Sequence, residues 1–335
     1  MRFADVVGHQ RAVARLRRAA ARDRVPAALL LFGPSGLGKR ALAEAFATRL
    51  LCAAPAGDDA CGTCDHCTRL AHGTHPDLTV VEREEERRDM RVEQVRTLSR
   101  WLALHPLMAT RKVAIIDGAH FLNEHGQNAL LKTLEEPPGS SVIVLTAPAS
   151  ALVLPTVRSR CQLVRLDPLP LDDVVRVLAG RGLAPERARR LAPLADGCPG
   201  RVVALDGEGE AGARESVLDT LPRIATLAAP DISRLAQDLA RGPVETALAA
   251  SLGFYRDVLE RGLLGAEHPL RNPDAAGPID TAAARLPVTT VLRQLEAVCD
   301  TIAIVERNAN RTLALETMLL CLREIERGRP LSNPS

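Results

Sequence analysis

Two stretches of this 335-residue sequence carry residue types at spacings that could do chemistry. The first is Gly33-Pro-Ser-Gly-Leu-Gly-Lys39, which fits G-x-x-x-x-G-K. Glycines at Gly33, Gly36 and Gly38 let successive backbone N–H groups point inward around phosphate oxygens, and Lys39 would reach the β- and γ-phosphates. A helix opening here would add its partial positive charge. The next residue departs from the pattern. Arg40 stands where a Ser or Thr hydroxyl would hold Mg²⁺. A guanidinium has no acceptor and cannot coordinate a metal, although it could neutralise phosphate itself. A second departure lies in "VAIIDGAH". Asp117 is retained for a metal, but Gly118 occupies the place of a water-activating Glu, and His120 is displaced from it. Loss of a general base alone costs about 10²–10⁴ in rate. We therefore expect no useful ATP hydrolysis by the chain on its own. The residues leave open whether nucleotide binds in its own loop.

The second stretch is "CAAPAGDDACGTCDHC", with Cys52, Cys61, Cys64 and Cys67. Two C-x-x-C intervals share Cys64, and four grouped thiolates suit a closed, tetrahedral, structural zinc site better than a redox pair. His66, His72 or His75 could replace one thiolate. Cys161, Cys198, Cys299 and Cys321 lie scattered on apolar segments and read as small buried hydrophobes.

These residues must be positioned by a fold, and the hydrophobic pattern says which. Short apolar runs, Ala27–Phe32, Asp77–Val81, Lys112–Asp117, Ser140–Thr146 and Cys161–Leu166, alternate with helical periodicity up to residue 166. That alternation predicts a parallel sheet covered on both faces. From "DPLPL" (Asp167–Leu171) to Leu205 the pattern holds short helices only. A Gly-rich acidic linker, Asp206–Gly212, precedes a helical remainder that ends in two long amphipathic helices. The expectation is an α/β P-loop domain at 1–166 with a metal-binding insertion at 52–67, a helical lid at 167–207, and an all-α domain at 208–335.

Composition narrows the function. Hydrophobic residues make up 46%, enough for a sizeable core. Lys plus Arg number 43 against 41 Asp plus Glu, so the whole chain has no nucleic-acid charge footprint. Aromatic residues are 2%, which argues against base-stacking recognition. "MRFADVVGHQ" has no apolar leader, and no run reaches membrane-spanning length. A cytoplasmic protein with no membrane contact is expected.

The order of five segments is more specific than the loop alone. "VVGHQRAVARLRRAA", the loop, the four-Cys insertion, "NALLKTLEEPP" and "LPTVRSRC" together resemble the AAA+ subunits of the bacterial sliding-clamp loader. The first 205 residues carry the resemblance strongly, and "RNANRTLALETMLL" carries it more loosely. It implies an AAA+ module followed by a collar domain in a pentamer with gamma or tau and delta subunits, acting on the sliding clamp and primed DNA. It also implies that Arg160, flanked by Ser159 and Cys161, is an arginine finger directed at a neighbour's ATP. Thr146 matches the sensor-1 position and Arg201 the sensor-2 position. Since Arg40 and Gly118 replace the motor residues, the resemblance points to a non-motor subunit, and the chain length adds no tail beyond the collar. Such a subunit would belong to a DNA polymerase holoenzyme without polymerase chemistry. The competing readings are an active AAA+ ATPase, such as a motor subunit or recombination helicase, and a zinc-stabilised interaction module outside replication.

Overall fold

A computed structural model describes residues 1–84, 87, 89–204, 208–306 and 309–328. The chain divides into two compact units. One is Met1–Ala188 with Gly197–Gly200, and the other is Arg189–Asp196 with the residues from Arg201 onward.

The first unit opens with α1 (Gln10–Ala21), β1 (Ala28–Phe32) and α2 (Lys39–Leu51). The cysteine segment follows, with α3 (Asp65–Ala71), then β2 (Leu78–Glu82), α4 (Val92–Leu102), β3 (Val113–Asp117), α5 (Glu124–Glu135), β4 (Val142–Ala147), α6 (Pro155–Arg158) and β5 (Gln162–Arg165). The five strands are parallel in the order β2-β3-β4-β1-β5. This is the parallel sheet that the apolar runs predict, and each strand falls within a residue or two of its expected position.

Side-chain alternation explains why the strands read as continuous apolar runs. Leu29, Leu31, Ile115 and Val144 face one side, with Leu16, Leu42 and Phe46 of α1 and α2. Leu30, Ile116, Ile143 and Leu145 face the other, with Leu98, Leu102 and Leu130 of α4 and α5. Both faces are therefore buried under helices. Asn123 caps α5 by accepting from Gly126 N–H at 2.8 Å. The helix ends at Glu135, just before Pro137-Pro138, as Pro chemistry requires.

Asp77 and Lys112, expected inside strands, lie just outside them. The Asp77 carboxylate is buried and accepts from the N–H groups of Leu107, Met108 and Ala109 at 2.7, 2.8 and 2.8 Å. Burial alone would raise its pKa, but those three donors hold it below the ordinary aspartate value.

The segment 167–204 contains α7 (Leu171–Gly180), α8 (Pro185–Leu191) and α9 (Pro199–Ala204), short helices as expected. The division into two units runs through this segment. Of the expected linker, 206 and 207 lie outside the described residues, as does Leu205. The rest is not a linker, because α10 (Glu208–Thr220) begins there. Glycine disfavours helix by roughly 1 kcal/mol per residue. Buried Ala213, Val217 and Leu218 farther along α10 supply the packing that overrides it.

The second unit continues with α11 (Ala229–Arg241), α12 (Val244–Leu264), α13 (Ala276–Arg285), α14 (Val288–Glu306) and α15 (Arg311–Glu326). Its core gathers Ile224, Leu248, Phe254, Tyr255, Leu315 and Leu319. Among the described residues, no helix is long and apolar enough to cross a membrane.

Candidate functional site

The phosphate loop joins β1 to α2, so its position follows from the sheet. Gly33, Gly36 and Gly38 all have positive φ. Lys39 Nζ donates back to the carbonyls of Gly33 and Pro34 at 2.6 and 2.8 Å. Gly200, at the start of α9, donates its N–H to Gly36 O at 2.9 Å. A Cβ at Gly200 would stand 2.6 Å from Gly36 Cα, so only glycine permits this approach.

Arg40 leaves the first turn of α2 and reaches three carboxylates. Its Nε donates to Glu44 Oε1 at 2.9 Å, one of its terminal nitrogens contacts Glu82, and the same nitrogen lies 3.7 Å from Asp117 Oδ2. Glu82 and Asp117 are register partners at the ends of β2 and β3. The other oxygen of Asp117 accepts from Thr146 Oγ1 at 2.6 Å, and Thr146 in turn accepts from Gly118 N–H at 2.8 Å. The structure thus brings Lys39, Arg40, Asp117 and Thr146 together at the strand ends. This donor set does not fit magnesium. The hydroxyl ligand is missing, and Asp117 is shared between a threonine and a guanidinium.

Gly118 is more than a missing glutamate. Its φ is +86°, and a Cβ there would fall 2.6 Å from Phe121 Cδ2. A side chain in this backbone would be strained before its chemistry mattered. His120 does not replace it as a base. Its ring lies on Phe121, with centroids 4.0 Å apart, and its Nδ1 is buried without a partner among the described residues. Burial, with Lys39 and Arg83 nearby and Asp117 opposing them, depresses its pKa to about 4. An ordinary histidine titrates near 6.5, so between these values the unfolded chain takes a proton that the folded chain refuses. Stability is therefore lost as pH falls from about 6.5 toward about 4. We expect His120→Gln to flatten that part of the stability curve, measured by urea denaturation at several pH values. An unchanged slope would contradict the assignment.

Arg160 lies elsewhere on the first unit, just past α6. Its Nε donates to Glu135 Oε1 at 2.8 Å, and another nitrogen donates to Thr156 O at 2.9 Å. Its side chain is 36% exposed. Ser159 Oγ donates to Thr156 O at 3.0 Å. Cys161 is buried in the core, which pushes its thiol up to about 11. The motif therefore has a buried anchor and a surface guanidinium. Arg201 belongs to the second unit and pairs there with Asp196 at 3.6 Å. Asp196 also meets Arg256, and Arg271 at 3.8 Å.

The four cysteines converge. All four Sγ atoms lie within 4.8 Å of one another. The separations Cys52–Cys61, Cys52–Cys64 and Cys61–Cys67 are 3.6, 3.9 and 3.9 Å. A tetrahedron of thiolates about 2.3 Å from a central ion has edges of about 3.8 Å. The cluster could therefore hold a metal ion. Backbone N–H groups of Thr63 and Cys64 draw the Cys61 thiol down to about 6, while burial pushes Cys52 and Cys67 up. The histidines are engaged elsewhere. His75 Nε2 and His66 Nδ1 are 3.0 Å apart, and His72 Nδ1 meets Thr68 O at 2.8 Å. Among the other cysteines, Cys198 is buried and Cys321 half-buried, but Cys299 is exposed, contrary to expectation.

Glu82, Glu135 and Gly200 carry no signal in the sequence that singles them out. Glu44 alone has a local one, since it stands four residues beyond Arg40 on one helix face.

A family model described as "DNA polymerase III, delta subunit" matches residues 8–170. The chain is 40% identical over 200 residues to the DNA polymerase III subunit delta' of Pseudomonas aeruginosa, covering 59% of this chain and 61% of that protein. It is 35% identical over 195 residues to the Escherichia coli subunit delta', covering 58% of each. It is also 35% identical over 173 residues to the Escherichia coli subunit tau, covering 51% of this chain and 26% of tau. The matches span about three fifths of the length of the two delta' relatives.

Proposed function

We propose, because this chain belongs to the DNA polymerase III delta' family, that it is a non-motor subunit of the clamp loader that places the sliding clamp on primed DNA. The observation that carries the reading is the state of Asp117. Thr146 and Arg40 take the carboxylate that a motor subunit would give to magnesium. With Gly118 in a left-handed turn, and His120 stacked on Phe121 and made a weak base by burial, the loop lacks the hydroxyl ligand and the glutamate base that hydrolysis would use.

On this reading the first domain (1–166) and lid (167–207) form the AAA+ module, and 208–335 forms a collar with gamma or tau and delta subunits. Arg160 works in trans on the ATP of a neighbour. Its exposure and its position between a buried cysteine and a surface carboxylate support that role. Cys52, Cys61, Cys64 and Cys67 hold one structural zinc ion, with no coordination position left for catalysis. The work is done in the bacterial cytoplasm.

The isolated chain should release no phosphate from ATP above background, with or without primed DNA. It should nevertheless be required for a reconstituted loader to turn over ATP. Robust turnover by the isolated chain would select the active-ATPase reading instead.

A further inference from the structure

α1 carries its charge differently from the helices around it. On α2, α3 and α4, Arg40, Arg69 and Arg96 each have a carboxylate three or four residues along the same helix. α7 and α11 repeat that arrangement. α1 contains no acidic residue. Its arginines Arg11, Arg15 and Arg18, with Arg22 just past its end, are all exposed. At 3.6 residues per turn the four fall within an arc of about 60° and span about 16 Å of the axis. Arg15 donates to Leu163 O on the edge strand β5 at 2.9 Å, and Arg18 to Ala14 O at 3.2 Å. Among the described residues, none of the four meets a carboxylate. Arg17, on another face, pairs with Asp58 and Asp59. The stripe works against its own helix. Like charges three and four residues apart repel, and a cation in the first turn opposes the helix dipole. Helix stability therefore does not account for it.

We infer that this face of α1, beside β5 and away from the phosphate loop, binds the phosphate backbone of duplex DNA without reading sequence. A duplex carries one negative charge per about 1.7 Å of axis, so about ten lie along the length of the stripe. Guanidinium forks match phosphate oxygens in pairs. α1 has no aromatic residue on which a base could stack, so it offers a single strand no platform. An anionic membrane fits less well. The apolar residues of α1, Ala12, Leu16 and Ala20, are buried in the core and cannot insert. A net charge of +2 is no obstacle when the footprint is confined to one face. The use of this contact in clamp loading rests on the reading above, but the binding does not. Its failure would leave the phosphate-release result untouched.

Fluorescence anisotropy of a labelled blunt duplex, titrated with the full chain alone between about 50 and 200 mM salt, tests the inference. Four neutralised phosphates predict a slope of about −3.6 in log affinity against log salt, or about a 150-fold loss of affinity over that range. Arg11→Gln combined with Arg22→Gln removes two charges that make no hydrogen bond among the described residues. The slope should fall to about −1.8 and the loss to about 12-fold, at an unchanged melting temperature. Arg234→Gln with Arg241→Gln, on α11, removes two exposed but paired arginines and should leave the slope as it was. No duplex binding at the lowest salt, or a slope that the α1 variant does not change, would overturn the inference. So would capture by phosphatidylserine vesicles in place of the duplex.

Discussion

On the role in trans proposed above, Arg160→Ala should lower ATP turnover by about 10³-fold or more in a clamp loader reconstituted with primed DNA, the range seen when an arginine finger is withdrawn. The size of the effect follows from the chemistry. A guanidinium on the γ-phosphate offsets charge that develops in the transition state. Assembly should survive the change. The Arg160–Glu135 pair is largely exposed, and such pairs contribute about 0–1 kcal/mol. The same weakness lets Arg160 leave Glu135 for a phosphate at little cost. Two further variants separate catalysis from scaffolding. Glu135→Ala frees the guanidinium and should leave turnover nearly unaltered. Arg160→Lys keeps the charge but loses the planar fork, and should not restore the rate. An unaltered rate in Arg160→Ala, measured by phosphate release from the intact complex, would refute the role in trans.

Cys64→Ser should reduce metal content from about one zinc per chain to almost none, measured by elemental analysis of the purified protein. This substitution is informative because Cys64 has two duties. Its sulfur belongs to the cluster, and it also caps α3 by accepting from Cys67 N–H at 3.5 Å. Serine caps a helix well. The variant therefore removes a metal ligand and keeps the cap. Structural zinc contributes about 10–16 kcal/mol in isolated finger peptides. Here other bonds also hold the segment, among them Asp59 accepting from Phe3 and Ala4 N–H at 3.1 and 2.8 Å. Loss of metal should therefore loosen the insertion before the sheet. A loss of about 2 kcal/mol lowers the melting temperature of a domain this size by about 4–8 °C. Chelation of the wild-type protein should reproduce that shift. A metal-free preparation that melts at the wild-type temperature would dispose of the zinc site.

The sheet was legible in the sequence for a physical reason. Strands buried on both faces must be apolar at every position, so "AALLLF" and "VAIID" stand out from their polar surroundings. Their spatial order is another matter. β1 lies between β4 and β5, and such pairings are set by packing across more than a hundred residues. The cysteine cluster was legible because its ligands are close in sequence. The four-sulfur set needed the fold, since only the pairing of His66 with His75 and the seat of His72 on Thr68 remove the histidines from contention. Arg40 was visible as an oddity, but its main partner, Glu82, arrives from 42 residues away through the β2–β3 register. Gly118 was legible as an absence and is in fact a backbone requirement, because only the structure shows Phe121 beneath it. The supposed linker before α10 failed for the opposite reason. Its glycines are a local signal, and tertiary packing outweighed them.

Thr146 bears on how chains of this kind are diagnosed. Its hydroxyl passes one hydrogen bond to Asp117 and receives another from Gly118, extending the β3–β4 seam past the last backbone pair. A threonine so employed is retained for carpentry whether or not phosphate ever arrives. Its presence is therefore no evidence for an intact ATPase signature, and the informative test of any such residue is whether its side chain is free to answer a ligand.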